Sequence, residues 1–239
     1  MSVGELTNPH LSESEATRRE AKRQEMMAKV PDRYSGRAHW AFTNLTTILG
    51  IGLCLVALES SDWWEWLFVP GFFVFANAFE RWIHRGPMHH PTRGLRILYE
   101  RYTLQHHVFY PADHMAFREP RELFYVLFPP LALPALMVVN LPIPLLLGTL
   151  VSANLAWLFF LSVLAYYFVY EWFHFAHHLR RDSWLGRRAV VGWLRTHHTR
   201  HHELALMEKG NFNVSFPLWD RLLGTMLPDV GRESRSELA

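Results

Sequence analysis

Trp157-Leu-Phe-Phe-Leu-Ser-Val-Leu-Ala-Tyr-Tyr-Phe-Val-Tyr170-Glu-Trp-Phe-His174-Phe-Ala-His177-His178 decides how the rest of the chain is read. A run apolar on every side of a helix is buried in a core or in a membrane, and this one ends in three histidines. Upstream, residues 123–170 carry no charged side chain at all. A hydrocarbon core is crossed by roughly 20 apolar residues, within a range of about 17 to 25. Residues 123–170 therefore hold two spans, placed at 123–140 and 145–169, with Asn140-Leu-Pro-Ile-Pro144 as the turn between them. Pro129, Pro130 and Pro134 blur the start of the earlier one. Residues 40–58 and 63–79 supply two further spans, the second short unless its aromatic ends are counted.

The basic residues set the orientation. None of the 24 Lys and Arg falls between His39 and Glu80 or between Glu122 and Tyr170. With four spans, residues 1–38, 81–121 and 180–235 lie on one side, which the positive-inside rule makes cytoplasmic. The far side keeps Glu59-Ser-Ser-Asp62 and the proline turn, with Trp63, Trp64 and Trp66 at the outer interface and Trp40 and Trp82 at the inner one. Tyr166, Tyr167 and Tyr170 read as an aromatic belt near the cytoplasmic end of the last span, with a lipid channel as the alternative. A soluble helical protein would instead have to bury two adjacent all-apolar segments in a chain of modest size. The expected fold is all-α: a polar amino-terminal arm (1–37) and a membrane-embedded domain (38–239) of about four spans, with a cytosolic histidine-rich helical cap at 81–121 and 171–228. Both termini lie on the cytoplasmic side, whether of a bacterial inner membrane or of the endoplasmic reticulum. The arm does not read as a signal peptide. Ser12 and Glu15 have capping-box spacing, Arg18, Arg19, Lys22 and Arg23 follow, and the arm is expected to be solvated, with attraction to anionic lipid as the alternative.

Thirteen of the 15 histidines are grouped beside these runs, as His84, His89 and His90; His106, His107 and His114; His174, His177 and His178; and His197, His198, His201 and His202. Neutral imidazole is the commonest nitrogen ligand for iron, copper and zinc. Residues at i, i+3 and i+4 share a helix face, so His174, His177 and His178, and likewise His198, His201 and His202, can aim at a common point. His84 and His89, separated by Gly86 and Pro87, fit a helix end and the following loop. The neighbours His106 and His107 serve either two metals or one metal and one support. His10 and His39 are read as ordinary surface or core residues. The candidate ligands are His84, His89, His106, His107, His174, His178, His198, His201 and His202. His90, His114, His177, His197, Glu171, Asn211 and Asp220 are candidates for a further ligand or for outer support.

Spacing removes several other metal sites. A His-Glu-x-x-His peptidase fails, because Leu206 stands where the second histidine belongs. A ferritin-like site needs two Glu-x-x-His elements, and Glu171-x-x-His174 is a single copy. A transporter places ligands within its spans, and these hold no histidine. One cysteine, Cys54, excludes a disulfide framework. No nucleotide-binding glycine motif and no haem-carrier domain is visible, and no nucleic-acid partner is expected.

The order His84-x4-His89, His106-His107, His174-x3-His178 and His198-x2-His201-His202, followed by Asn211-Phe-Asn-Val-Ser-Phe-Pro-Leu-Trp-Asp220-Arg-Leu-Leu-Gly224-Thr225, resembles the fatty acid hydroxylase superfamily of sterol desaturases and lipid hydroxylases over about residues 40–228. The resemblance implies a histidine-held pair of iron ions, with no catalytic residue beyond the metal centre and O₂ as co-substrate. A lipid C–H bond would be hydroxylated with electrons from a separate donor protein. Desaturation at the same site and a non-catalytic metal-binding membrane protein are the alternatives. Two departures stand out. Thr103 occupies a place where the family usually has a histidine. The stretch from Pro111-Ala-Asp113 to Phe128-Pro-Pro130 is a loop particular to this chain, placed to shape substrate choice. Asn213 stands where glycine is common, a position tolerant of left-handed backbone.

Overall fold

The computed structural model describes residues 13–228, whose regular elements are all helical, with no strand among them. His10 and Ser12 lie outside the described residues. Helix α1 spans Glu13–Met27 and α2 spans Gly36–Ala57, the latter capped by Ser35, whose hydroxyl accepts the Ala38 N–H. A 3₁₀ turn at Glu65–Leu67 leads into α3, Phe68–Ile83. Helix α4 (Arg96–Arg101) and the short α5 (His107–Phe109) follow. After a 3₁₀ segment at Pro120–Tyr125 come α6 (Ala132–Asn140), α7 (Pro142–Leu150) and the long α8 (Ala153–His177). Helices α9 (Ala189–His201) and α10 (Leu218–Leu222) complete the order.

Helix α8 is the axis of the molecule, and α2, α3 and α7 pack along it. Gly50 of α2 lets the two backbones approach, since a Cβ there would lie 2.9 Å from Leu164 Cδ1. Cys54, Leu133, Leu161, Leu164 and Tyr167 fill the contact between α2, α6 and α8. The opposite face of α2 exposes Phe42, Leu45, Ile48, Leu49, Leu53 and Val56. A continuous apolar face of that kind is stable against lipid rather than water.

Helices α2 and α8 are long and apolar enough to cross a membrane. The pair α6–α7 makes a third crossing element if its 41° bend is kept within one span. The expected spans are corrected in two places. Residues 123–131 are not the start of a span, because Leu123, Tyr125, Val126 and Leu127 are buried against α1 and Phe109. The Asn140–Pro144 segment bends the chain but does not reverse it, since Pro142 sits at the first positions of α7, where a missing N–H costs nothing. The reversal comes at Val151–Ser152, and the Ser152 hydroxyl caps α8 by accepting the Leu155 N–H. Helix α3, at 16 residues with Glu80 and Arg81 buried in its last turns, falls short of the crossing length.

Polar contacts tie the two hairpin ends together at the end of α8 remote from its histidines. Buried Glu65 accepts from the Ser152 hydroxyl, from Asn154 Nδ2 at 3.1 Å and from the Asp62 N–H at 2.9 Å. Asn154 Oδ1 in turn accepts the Glu59 N–H at 3.1 Å. The turn after α2 and the turn before α8 therefore lie at one end of the bundle.

Two sequence expectations change. The described part of the amino-terminal arm, from residue 13 on, is no solvated tail: Arg23 and Met26 of α1 are buried against the segment carrying Phe109, Tyr110 and Tyr125. The tyrosines of α8 form no interfacial belt, since Tyr166 hydrogen-bonds Glu80 at 2.5 Å inside the bundle and Phe128 stacks on Tyr167 and Tyr170.

The Gly36 position gives a direct check on this packing, because a Cβ there would overlap the Pro120 carbonyl. Gly36→Ala is expected to destabilise the protein by about 1–3 kcal/mol, the usual range for overpacking, read as a lowered melting temperature in detergent. Gly52→Ala, which meets nothing within 4 Å, should leave it unchanged or slightly raised.

Candidate metal centre

Four helix ends deliver the histidines to one place. Helix α3 widens into a π turn at His84–Met88, and α4 into another at Tyr102–His106. Such widened turns recur at functional sites. His84 and His89 stack at 5.2 Å across the first of them. His174 and His178 lie one turn apart at the end of α8, and His198 and His202 one turn apart at the end of α9.

These side chains form two adjoining groups. His84, His89, His107 and His201 make the first, and His106, His178, His198 and His202 the second, each with one nitrogen per residue within 4.8 Å of the others. His174 adjoins the second, its Nε2 being 3.2 Å from that of His106. All nine candidate ligands thus come together. Consecutive helical residues point about 100° apart, which sends His106 and His107 to different groups, and His201 and His202 likewise.

The outer nitrogens are held by acceptors. His106 Nδ1 is 2.7 Å from the Tyr125 carbonyl, His178 Nδ1 2.6 Å from that of Met115, and His202 Nδ1 2.5 Å from that of Tyr110. His201 Nδ1 is 3.0 Å from the Gly210 carbonyl, and His84 Nδ1 bonds the Phe212 carbonyl. A carbonyl only accepts, so each Nδ1 carries the proton and each Nε2 presents a lone pair. Yet the Nε2 atoms face one another, at 2.9 Å for His89–His201 and 3.1 Å for His106–His202. Two lone pairs at that distance repel unless a cation or a proton lies between them.

Protons are disfavoured there. Burial holds His107, His198, His201 and His202 well below the ordinary imidazole value, with neighbouring imidazoles adding to it. Burial likewise brings His89 and His106 down to about 4. A donor set made only of neutral imidazole suits iron, zinc, copper or nickel. The residues present therefore fit a pair of such ions.

Thr103 does not leave a gap beside these groups. Its hydroxyl donates to the Met88 carbonyl at 2.7 Å, so it accepts from His89 Nδ1 at 3.0 Å. It performs for His89 what main-chain carbonyls do for His84, His106, His178, His201 and His202. The remaining candidates lie outside both groups. His90 is exposed, and His114 is half-buried with Nδ1 3.7 Å from Asp113. His177 is buried behind His198, with ring centroids 4.9 Å apart, and His197 Nε2 lies 3.4 Å from Asp220. Glu171, one turn before His174, accepts the Phe128 N–H at 3.0 Å.

Asn211 and Asp220 shape the tail loop. Asn211 is the non-glycine with positive φ among the described residues, at 57°, and its amide donates to the His197 carbonyl. That corrects the expectation for Asn213, whose side chain instead donates to the Asn77 carbonyl and accepts the Asp220 N–H. Asp220 accepts from Asn213 N and from Thr225 Oγ1, each at 2.7 Å. Sequence reasoning missed Glu80. Its buried carboxylate accepts from Val214 N, Ser215 N, the Ser215 hydroxyl and Tyr166, which fixes the loop whose carbonyls hold His84 and His201.

A fatty acid hydroxylase family model matches residues 69–225, well over half of the chain and the whole histidine array. The chain belongs to the fatty acid hydroxylase family. No curated protein and no solved structure matches it. Membership agrees with the buried histidine groups and the membrane-crossing helices, and together they make the fatty acid hydroxylase site compatible with a metal-dependent lipid hydroxylase or desaturase.

The low imidazole values carry a pH signature in metal-free protein. Unfolding returns His89 and His106 from about 4 to the ordinary imidazole value of 6.5, so between these limits the unfolded chain binds more protons. Their contribution to stability is complete above about pH 6.5 and is lost as pH falls towards about 4. Thermal unfolding of chelator-treated protein should show a melting temperature that declines across that window. A flat profile would mean that these imidazoles are not buried as described.

Proposed function

We propose that this protein is an integral membrane di-iron oxygenase that hydroxylates a C–H bond of a lipid, drawing electrons from a separate protein. The observation that carries the reading is the convergence of buried Nε2 lone pairs whose Nδ1 atoms are already committed to acceptors. Four spans with the histidine end in the cytoplasm accord with the shared far end of the two hairpins and with the distribution of Lys and Arg. In this reading α3 and its aromatic approach form the second span and α6–α7 the third.

When bound, the iron pair would supply the activation of O₂ needed to break an unactivated C–H bond. The protein's own part is positional. His84, His89, His107 and His201 would hold one ion, and His106, His174, His178, His198 and His202 the other. The carbonyls and the Thr103 hydroxyl fix six of the rings, His84, His89, His106, His178, His201 and His202, in place for a metal. His84, His178, His198, His201 and His202 are at most 1 % exposed, which keeps bulk water from the reacting atoms. Between hydroxylation and desaturation, alignment of the substrate carbon decides.

Purified protein should carry about two iron ions per chain, as an imidazole-rich pair of sites suits iron. Lipid extracts of cells with and without the protein, compared by mass spectrometry, should show a product heavier by one oxygen. Loss of two hydrogens would mean desaturation, and His201→Ala should abolish either product. Metal-free wild-type protein with no oxygen-dependent product would sink the reading. Thr103→Val should weaken one of the two ions by about 10–100-fold, the usual cost of removing an outer partner, while Thr103→Ser should restore it in a chelator competition.

A further inference from the structure

The three carbonyls that orient the second histidine group all come from one stretch of chain, residues 110–125: Tyr110 for His202, Met115 for His178 and Tyr125 for His106. That stretch has little regular structure to hold it, with only a 3₁₀ segment at its end. It is fastened instead by α1. Arg23 pairs with the Glu122 carboxylate through both its Nε and a terminal nitrogen, and both side chains are buried, at 9 % and 4 % exposure. Glu122 also accepts the Arg118 N–H at 2.7 Å, and its carbonyl accepts the Tyr110 hydroxyl at 3.0 Å. The Arg23 guanidinium lies 4.5 Å over the Phe109 ring. Lower on α1, the Met26 carbonyl accepts the Tyr125 hydroxyl at 2.7 Å, and Met26 and Val30 pack into the same cluster as Tyr110, Leu123 and Tyr125. Arg118–Glu20 and Arg121 on the Val30 carbonyl close the rim.

The first group draws on a different source. Its carbonyls come from Gly210 and Phe212, held by Glu80 and Asp220, whereas the bonds that α1 makes through Glu20, Arg23 and Met26 go to the 110–125 segment. Helix α1 also lies outside residues 69–225, the part matched to the family. A bare stability role would not distinguish the two groups, whereas this connectivity does.

We infer that α1 is a clamp specific to the second metal, with Arg23 as its positioning residue acting through Glu122 and the 110–125 segment. The inference rests on the proposed function only in taking the histidine groups to hold metal. Without the clamp, the acceptors of His106, His178 and His202 are free to shift together. The second ion then loses the preset rings that retain it, and the first does not.

The test uses full-length iron-loaded protein in detergent, with iron per chain and its release to a chelator as readouts. His198→Ala marks which release phase belongs to the second group, and His84→Ala marks the first. Arg23→Gln is expected to speed loss from the second group by about 10–100-fold, the range for lost outer-sphere support, with the first phase at the wild-type rate. Arg23→Lys, which keeps the charge, should recover part of the retention. Breaking a buried ion pair is costly, so Tyr125→Phe, which removes only the contact to Met26, provides a milder variant with the same selectivity. Equal loss from both groups, or wild-type retention of both in Arg23→Gln and Tyr125→Phe, would overturn the clamp. Wild-type protein without iron would instead remove the functional reading on which it rests.

Discussion

The structure turns on a donor mismatch. Buried imidazoles whose outer nitrogens are bound to carbonyls have only lone pairs left to offer one another, and at hydrogen-bond distance lone pairs repel. Nine buried rings, five of them fixed in this way, crowded at the ends of four helices would be a costly arrangement for a protein with no cation to place among them. Burying unpaired polar groups costs free energy that a folded chain can rarely spare. The rest of the molecule serves this one demand, with α8 as the axis, α3, α4 and α9 ending at the same level, and two loops supplying acceptors. Charge is dealt with in the same way: Glu80, Glu122 and Asp220 are buried, and each is surrounded by donors.

Much of this was legible in the sequence, because the signals were of kinds that survive without coordinates. Membrane-length apolarity marked α2 and α8, and helical periodicity put His174 with His178 and His198 with His202. The nine histidines chosen by spacing and resemblance are the nine that meet. What stayed hidden depended on contacts between distant segments. The π turns after α3 and α4 depend on tertiary packing that local propensity does not report. Proline-rich residues 123–144 were read by hydropathy and proline placement, which cannot tell a lipid-facing strip from one buried against α1. Arg23 resembled any other base on a polar helix, and only Glu122, 99 positions away, makes it part of the core.

Thr103 shows the same limit at a single residue. Compared with a histidine pattern, it reads as something missing. In space its hydroxyl, with one proton to give and lone pairs to receive, links the Met88 carbonyl to His89. A residue type with no affinity of its own for iron thus acts on the ring beside it, and neither composition nor spacing carries that information.

The adjoining pairs His106–His107 and His201–His202 have a consequence for how the site can vary. Each pair sends one ring to each group across a single peptide bond, so the separation between the two groups is gauged twice by covalent geometry. An insertion or a change of pitch in either segment would displace both centres at once. The two halves are therefore coupled like gears on a common shaft, and sequence change is freer in the loops that address one half alone.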